Sequence, residues 1–401
     1  MRDRPCGSIQ PTRRIFSFLL IRWLACLAGF APLLTCARLM AQERLAALPA
    51  PFRPDGKKAG ADEVPLTVGF VYVGTKDDFG YNQAHAEGAA QVARMPGVTV
   101  VEAESVAENK DCETAMESMI ELHGAKIIFA TSYGYFNPHV KELAKKYPDV
   151  TFLHSGGIVT AGDPPNLGSY FAYSDEAEFL CGIVSGLTTK SNKLGYVAAK
   201  PITPVLRDIN AFELGARSVN PKATLTVIFT GDWFKPLEES DAVNVLADKG
   251  IDVVTGHIDS LKALITTAEK RGIYSCGYHT DQTPLAPKGY LTGAQWNWGD
   301  SYVKFVADAR AGKPAPQNLM GTIRDGTVKL SPYGPAVTTE ARKAVAAALD
   351  LMKQGKFQMY KGPIKDNNGK EVIPDGRALD DEDPALWGMD YLVEGVVGKT
   401  R

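Results

Sequence analysis

The chain has 401 residues, 45% hydrophobic and 22% charged, an ordinary globular composition with room for two or three domains of about 100 to 200 residues each. This excludes a small disulfide-stapled protein, a collagen-like repeat and a multi-span membrane protein. With 44 Lys and Arg against 46 Asp and Glu the net charge is -2, so no nucleic-acid partner is expected, because such binders neutralise many phosphates with an excess of basic side chains.

In chain order a basic leader comes first. Arg2, Arg4, Arg13, Arg14, Arg22 and Arg38 stand against Asp3 alone, so residues 1–41 carry +5 and the remaining chain is mildly acidic. The apolar runs 15–21 and 23–34 are split by Arg22 and are shorter than the roughly 18 residues of a spanning helix. A basic stretch followed by a short apolar one has the form of a secretory signal. Thr12-Arg13-Arg14-Ile15-Phe16 also has the look of a twin-arginine signal, with the general secretory route as the alternative. Leu33-Leu34-Thr35-Cys36 resembles a lipoprotein cleavage box with Thr before the Cys as a departure, and cleavage after Ala41 is the other option. Residues 1–41 are thus expected to be a signal peptide and 42–64 a flexible spacer rich in Ala, Pro and Gly. The folded body begins near Pro65, in the periplasm.

The body alternates strand and helix. Apolar runs predict strands over 66–73, 98–102, 126–131 and 151–154, and helical periodicity predicts helices over 81–95, 111–123 and 139–147. After a helix over 176–189 the cycle restarts, with strands over 193–198, 224–229, 253–256 and 273–277 and helices over 205–219, 235–249 and 260–270. Such a series predicts an α/β protein of two lobes, each a doubly wound parallel sheet with right-handed crossovers and flanking helices. A ligand cleft lies between the lobes, beyond the carboxyl ends of the strands. The first lobe is assigned to 65–172 and completed by segments after about 302, the second to 173–301, and 302–401 to returning segments and a C-terminal extension.

The loops at those strand ends carry the candidate ligand-binding residues. The first lobe offers Asp77, Asp78, Phe79, Tyr81, Asn82, Ser132, Tyr133 and Tyr135; the second offers Trp233, His257, Asp259, His279, Asp281, Trp296 and Trp298. Aromatic faces stack on a planar ring while Asp, Asn and Ser fix its polar edge, so this set suits a flat heterocycle. Each has a plainer reading. Only one of Tyr133 and Tyr135 need face the cleft, Trp296 and Trp298 are equally placed to pack a hinge, Asp259 before Ser260 is a ready helix N-cap, and His257 and His279 fit structural roles.

Motifs for a Gly-x-Ser-x-Gly elbow, a P-loop, His-Glu-x-x-His or a dinucleotide-binding Gly-x-Gly-x-x-Gly are absent. Binding without catalysis is therefore expected, with no cofactor and no metal. Cys112, Cys181 and Cys276 of the body form no Cys-x-x-Cys pair. They fit either separate burial or one disulfide and a leftover thiol.

Asp77-Asp78-Phe79-Gly80-Tyr81-Asn82-Gln83, directly after an exported protein's first strand, is similar to the Asp-Asp-x-Ser-Phe-Asn-Gln motif of the basic membrane protein family of ABC-transporter solute-binding proteins. Thr131-Ser132-Tyr133-Gly134-Tyr135, Gly250-Ile251-Asp252-Val253-Val254-Thr255, the segment 277–281 and Glu394-Gly395-Val396-Val397-Gly398 extend the resemblance from about Pro65 to the C-terminus. It implies a type I periplasmic-binding-protein fold with three interlobe crossings, a monomer, a purine base or nucleoside as ligand and an ABC permease as partner. Tyr81 stands where the family's Phe stacks on the base, Asn82 and Asp77 or Asp78 at its polar positions, Trp233 at its second-lobe aromatic, and Asp259 and Asp281 where second-lobe polar contacts occur. Gly80 departs from the motif's Ser, and Phe79 and the tryptophans crowd the cleft, which favours a free base such as adenine. The rivals are a nucleoside or flavin on the same scaffold, a purine-sensing receptor subunit, and an exported nucleoside hydrolase using cleft carboxylates.

Overall fold

The computed structural model describes residues 65–400. The expectations of a signal peptide, of its export route, of a lipoprotein box at Cys36 and of a flexible spacer all fall on residues outside that range. Everything described belongs to one unit, Pro51–Arg401, and is organised around two sheets.

Strands β1 (Leu66–Val71), β2 (Val98–Ala103), β3 (Ala125–Ala130) and β4 (Thr151–Ser155) alternate with helices α1 (Tyr81–Val92), α2 (Lys110–Glu121) and α3 (Lys141–Lys146), and β5 (Leu167–Ala172) follows β4 with no helix between them. Helix α4 (Asp175–Thr188) leads to the second series, β6 (Lys193–Ala198), β7 (Thr224–Phe229), β8 (Val253–His257), β9 (Tyr274–His279) and β10 (Tyr290–Trp296), connected in part by α5 (Thr203–Val219), α6 (Pro236–Asp248) and α7 (Lys262–Arg271). Helix α8 (Trp298–Arg310), β11 (Leu319–Gly321), β12 (Val328–Leu330), α9 (Thr339–Lys353) and a short strand Val396–Val397 follow.

The first sheet runs β11-β5-β4-β3-β1-β2 and the second β12-β10-β9-β8-β6-β7 followed by Val396–Val397. Neighbours are parallel throughout except that β12 is antiparallel to β10. Parallel strands buried on both faces read as continuous apolar runs, which is why β1 and β3 stand out in the sequence. Val68 and Phe70 belong to the core shared with α1 and α8, while Val71, Ile128 and Ala130 belong to a second core with Met116 and Leu143 of α2 and α3. Strand β5 was not foreseen. Its sequence holds Gly168 and Ser169, weak strand formers, and Gly168 is needed because a Cβ there would lie 2.6 Å from the Pro316 carbonyl oxygen.

The chain passes between the sheets three times, at Tyr173-Ser174, at Asn297, and between Gly321 and Val328. The crossings lie side by side. Tyr173 N–H donates to the Gly321 carbonyl at 2.9 Å, Asn297 N–H to the Thr327 carbonyl at 2.8 Å, and Ile323 N–H to the Glu176 carboxylate at 2.6 Å. An aromatic column stands beside them, with Trp296 and Trp298 stacked at 5.1 Å and Tyr302 against Phe129 at 4.5 Å. Cys112, Cys181 and Cys276 are all buried free thiols, so the disulfide option is set aside. Among the described residues no helix is long and apolar enough to cross a membrane.

Candidate ligand-binding site

The start of α1 builds the first-lobe side. The Asp78 carboxylate accepts from the backbone N–H groups of Gly80 (2.8 Å), Asn82 (3.0 Å) and Gln83 (3.0 Å), capping the helix in place of a side chain at Gly80. Asn82, buried, donates from Nδ2 to Asp78 at 2.8 Å and accepts at Oδ1 from Gly74 N–H at 3.0 Å. Both residues are therefore engaged in shaping the loop. Tyr81 projects from this cap, and its hydroxyl donates to the Thr131 carbonyl and lies 3.1 Å from Ser155 Oγ. That ties α1 to the carboxyl ends of β3 and β4. Ser132 Oγ donates to Glu108 at 2.5 Å, and Glu108 also accepts from Gly134 N–H at 2.8 Å.

The second lobe contributes Trp233, His257, Asp259 and His279 from the ends of β7, β8 and β9. Asp259 N–H donates to the Trp233 carbonyl at 2.9 Å, which sets these two loops together. The Trp233 indole is partly exposed and lies 6.0 Å from the His257 ring. His279 accepts at Nδ1 from Trp296 Nε1–H at 2.9 Å and faces the Ile258 carbonyl with Nε2 at 2.9 Å, so it is the neutral tautomer protonated on Nε2, and burial holds its pKa far down. Tyr81 and His279 meet edge to face at 5.7 Å across the cleft.

Asp259 differs from the cleft carboxylates that the fold already occupies. Its side-chain oxygens accept no hydrogen bond from another described residue, whereas Asp78, Asp281 and Glu108 are all occupied. Burial first, then the negative charges of Asp78, Glu108, Glu239 and Asp232, push its carboxyl up to about 7. Glu239 is likewise pushed up to about 7 by burial. Nearby cations are turned to other partners: Lys200 pairs with Asp232 at 3.4 Å, and Lys262 lies over the Phe79 ring at 5.6 Å. A partly buried carboxylate without a donor is costly to ionise, so this arrangement suits a ligand that brings N–H or O–H donors and disfavours one that brings phosphate. A cavity of about 260 Å³ opens at the cleft mouth between Thr75, Asp77 and Asp78 of one lobe and Phe234, Glu239 and Lys262 of the other.

Residues 66–349 match the family described as ABC transporter substrate-binding protein, PnrA-like. The chain belongs to this family. A purine-binding protein of Brucella abortus (strain 2308) is 35% identical over 86% of this chain and 96% of its own length. A Haloferax volcanii protein, provisionally named for glucose binding in an ABC transporter, is 30% identical over 83% of this chain and 81% of its own. The crystal structure of an ABC transporter solute-binding protein from Aeropyrum pernix K1 superposes with a TM-score of 0.64 over 80% of this chain and 95% of that one, at 16% identity. The last likeness concerns the fold alone, and the two-lobed type I architecture is shared. Substrate-binding proteins of ABC transporters bind small molecules outside the cytoplasm and engage permeases.

Within this substrate-binding protein the predicted site residues separate into groups. Tyr81, Trp233 and Asp259 converge where the lobes meet, with Ser132 behind Tyr81's anchor. Asp77 and Phe79 lie at the mouth, Phe79 with a left-handed backbone (φ 52°). Tyr133 is exposed at the rim, whereas Tyr135 is enclosed in the first-lobe core with its hydroxyl donating to the Val106 carbonyl at 2.6 Å, so Tyr135 does not line the cleft. Trp296 is buried at the second crossing, where it orients His279. The Asp281 carboxylate accepts from Thr283 N–H (3.0 Å) and Oγ1 (2.6 Å), capping a turn. Asp259 does not cap α7, which has no side-chain cap. Sequence reasoning missed Ser155, Ser260 and Gln282. Ser155 carried a weak signal as the last residue of a strand; the other two carried none.

Proposed function

We propose that this protein captures a purine base, adenine-like, by closing its lobes over it and delivers it to a membrane permease. The observation that carries the reading is the Asp259 carboxylate, partly buried and without a protein donor, on a residue whose backbone is bonded to both Trp233 and Tyr81. A purine brings both complements, N–H groups for the carboxylate and a flat ring for the indole. Acidic neighbours select against nucleotides, and the purine-binding relative supports the same ligand class. A nucleoside is the second reading, because the 260 Å³ cavity at the mouth would hold a sugar.

The test is thermal melting of ligand-stripped protein against adenine, guanine, hypoxanthine, their nucleosides, riboflavin, glucose and amino acids. A micromolar ligand at thousandfold excess adds about 4 kcal/mol to stability. Stabilisation by bases alone supports base capture, and by nucleosides alone the second reading. A shift with glucose only would overturn both. Release of ribose over time would instead make the protein a hydrolase.

A further inference from the structure

Across the cleft the second-lobe loops hold the first-lobe backbone at the start of α1. Gly80 and Ser260 form an isolated antiparallel bridge. Tyr81 N–H donates to the Asp259 carbonyl at 2.8 Å, and this N–H is one of the helix-start donors that have no partner within α1. Ser260 Oγ donates to the Asp78 carbonyl at 2.5 Å and Gln282 Nε2 to the Phe79 carbonyl at 2.7 Å. Farther along α1, Thr280 Oγ1 donates to Glu87 at 2.9 Å. Four consecutive first-lobe residues, 78 to 81, are thus gripped by second-lobe loops.

Gly80 has no room for a side chain in this arrangement. A Cβ placed there would lie 2.0 Å from the Asp259 carbonyl oxygen, 2.8 Å from Ser260 Cα and 2.9 Å from Asp259 C. Nonbonded carbons rest at about 3.5 to 4.0 Å. The obstructing atoms are backbone, and they belong to the opposite lobe, so relief requires the lobes to part.

We propose that Gly80 is the closure residue of this protein: its missing side chain lets Gly80-Tyr81 clasp Asp259-Ser260, and the clasp sets how tightly a ligand is retained without touching the ligand. Asp259 joins the two functions, with its carbonyl in the clasp and its carboxylate facing the cleft. A ligand that engages the carboxylate therefore favours the same placement of this residue that the clasp requires, and ligand binding and closure stabilise each other, as a shift between two states demands. The ligand side of this coupling rests on the purine reading; the clasp itself does not.

The experiment uses Glu87→Cys with Thr280→Cys as a reporter pair across the cleft, and measures the rate at which a short bifunctional thiol reagent joins them, with and without adenine. Gly80→Ala in this background is expected to slow cross-linking about tenfold or more in at least the adenine-bound protein, while the far-ultraviolet circular dichroism stays native. In the protein without the reporter cysteines, it is expected to speed adenine release by a similar factor. Equal cross-linking rates with Gly and Ala in both conditions would overturn the proposal. Should Gly80→Ala fail to fold, the pair Ser260→Ala and Gln282→Met removes two clasp donors with no added bulk and must slow cross-linking in the same direction; an unchanged rate again overturns it. If adenine does not bind the parent protein, the purine reading fails and the ligand-free arm alone decides the clasp.

Discussion

Asp259→Asn is expected to stabilise the ligand-free protein and to weaken adenine binding at once. The carboxyl is raised from 3.8 to about 7, by burial first and by the surrounding carboxylates second. Each tenfold change in proton affinity is worth about 1.4 kcal/mol, so the ionised group costs the fold at most about 4 kcal/mol, and less because the side chain is partly open to screening solvent. The sign follows from linkage. A raised carboxyl has its full stabilising contribution below about pH 4 and loses it as pH rises through about 7. Asn is neutral throughout, so the variant's melting temperature should match the parent's near pH 4 and exceed it by several degrees at pH 8. Calorimetric titration with adenine at pH 8 should show a loss of about tenfold to a hundredfold, because a hydrogen bond to a charged acceptor contributes about 1.5 to 3 kcal/mol. In the parent, adenine affinity should fall as pH drops below about 7, since a protonated carboxyl no longer accepts as strongly. A melting difference independent of pH would refute the electrostatic argument, and unchanged affinity would remove Asp259 from the site.

Trp233→Ala should cost about 1 to 3 kcal/mol of adenine binding if the indole stacks on the base, with little change in the ligand-free melt because the ring is partly exposed; calorimetry reads both. Tyr302→Phe should do the reverse. It removes the hydroxyl bonded to buried His85 Nδ1 and to the Tyr170 hydroxyl, leaving a buried polar atom unpaired at about 1 to 3 kcal/mol, which lowers the melting temperature and leaves affinity within about twofold. Arg207→Met removes the cationic partner of buried Asp175, now paired with Arg207 Nη2 at 2.8 Å beside the first crossing, and leaves it only the Tyr360 hydroxyl at 3.2 Å; breaking a buried pair from one side costs about 3 to 5 kcal/mol, measured as a lowered denaturation midpoint. Cys112, Cys181 and Cys276 should resist a thiol reagent in the native protein and react on unfolding, since all are buried and burial pushes Cys112 up to about 12; labelling before unfolding would refute their enclosure.

Most of the architecture was legible in the sequence for a local reason. Strands buried on both faces must be apolar along their whole length, helices between them must repeat every 3.6 residues, and parallel crossovers place the loops after each strand on one edge. Those rules alone put Tyr81, Trp233 and Asp259 at the strand ends. Strand β5 escaped because Gly168 answers to Pro316, about 150 positions away in the chain, a contact no local pattern announces.

Within the site, residue type marked the candidates and the tertiary structure sorted them. Tyr133 and Tyr135 are alike in sequence, yet a tight turn sends one to solvent and the other into the core. Trp296 and Trp298 read equally as ligand or hinge residues until their mutual stacking placed them beside the second crossing. Asp78 and Asp259 are both aspartates after a strand. Only the fold supplies one with three backbone donors and leaves the other without any. Composition and periodicity thus determined two α/β lobes with an aromatic and acidic cleft, because burial acts on each segment separately. Which carboxylate is free and why residue 80 carries no side chain were decided by packing between lobes, where the partners of each atom come from distant parts of the chain.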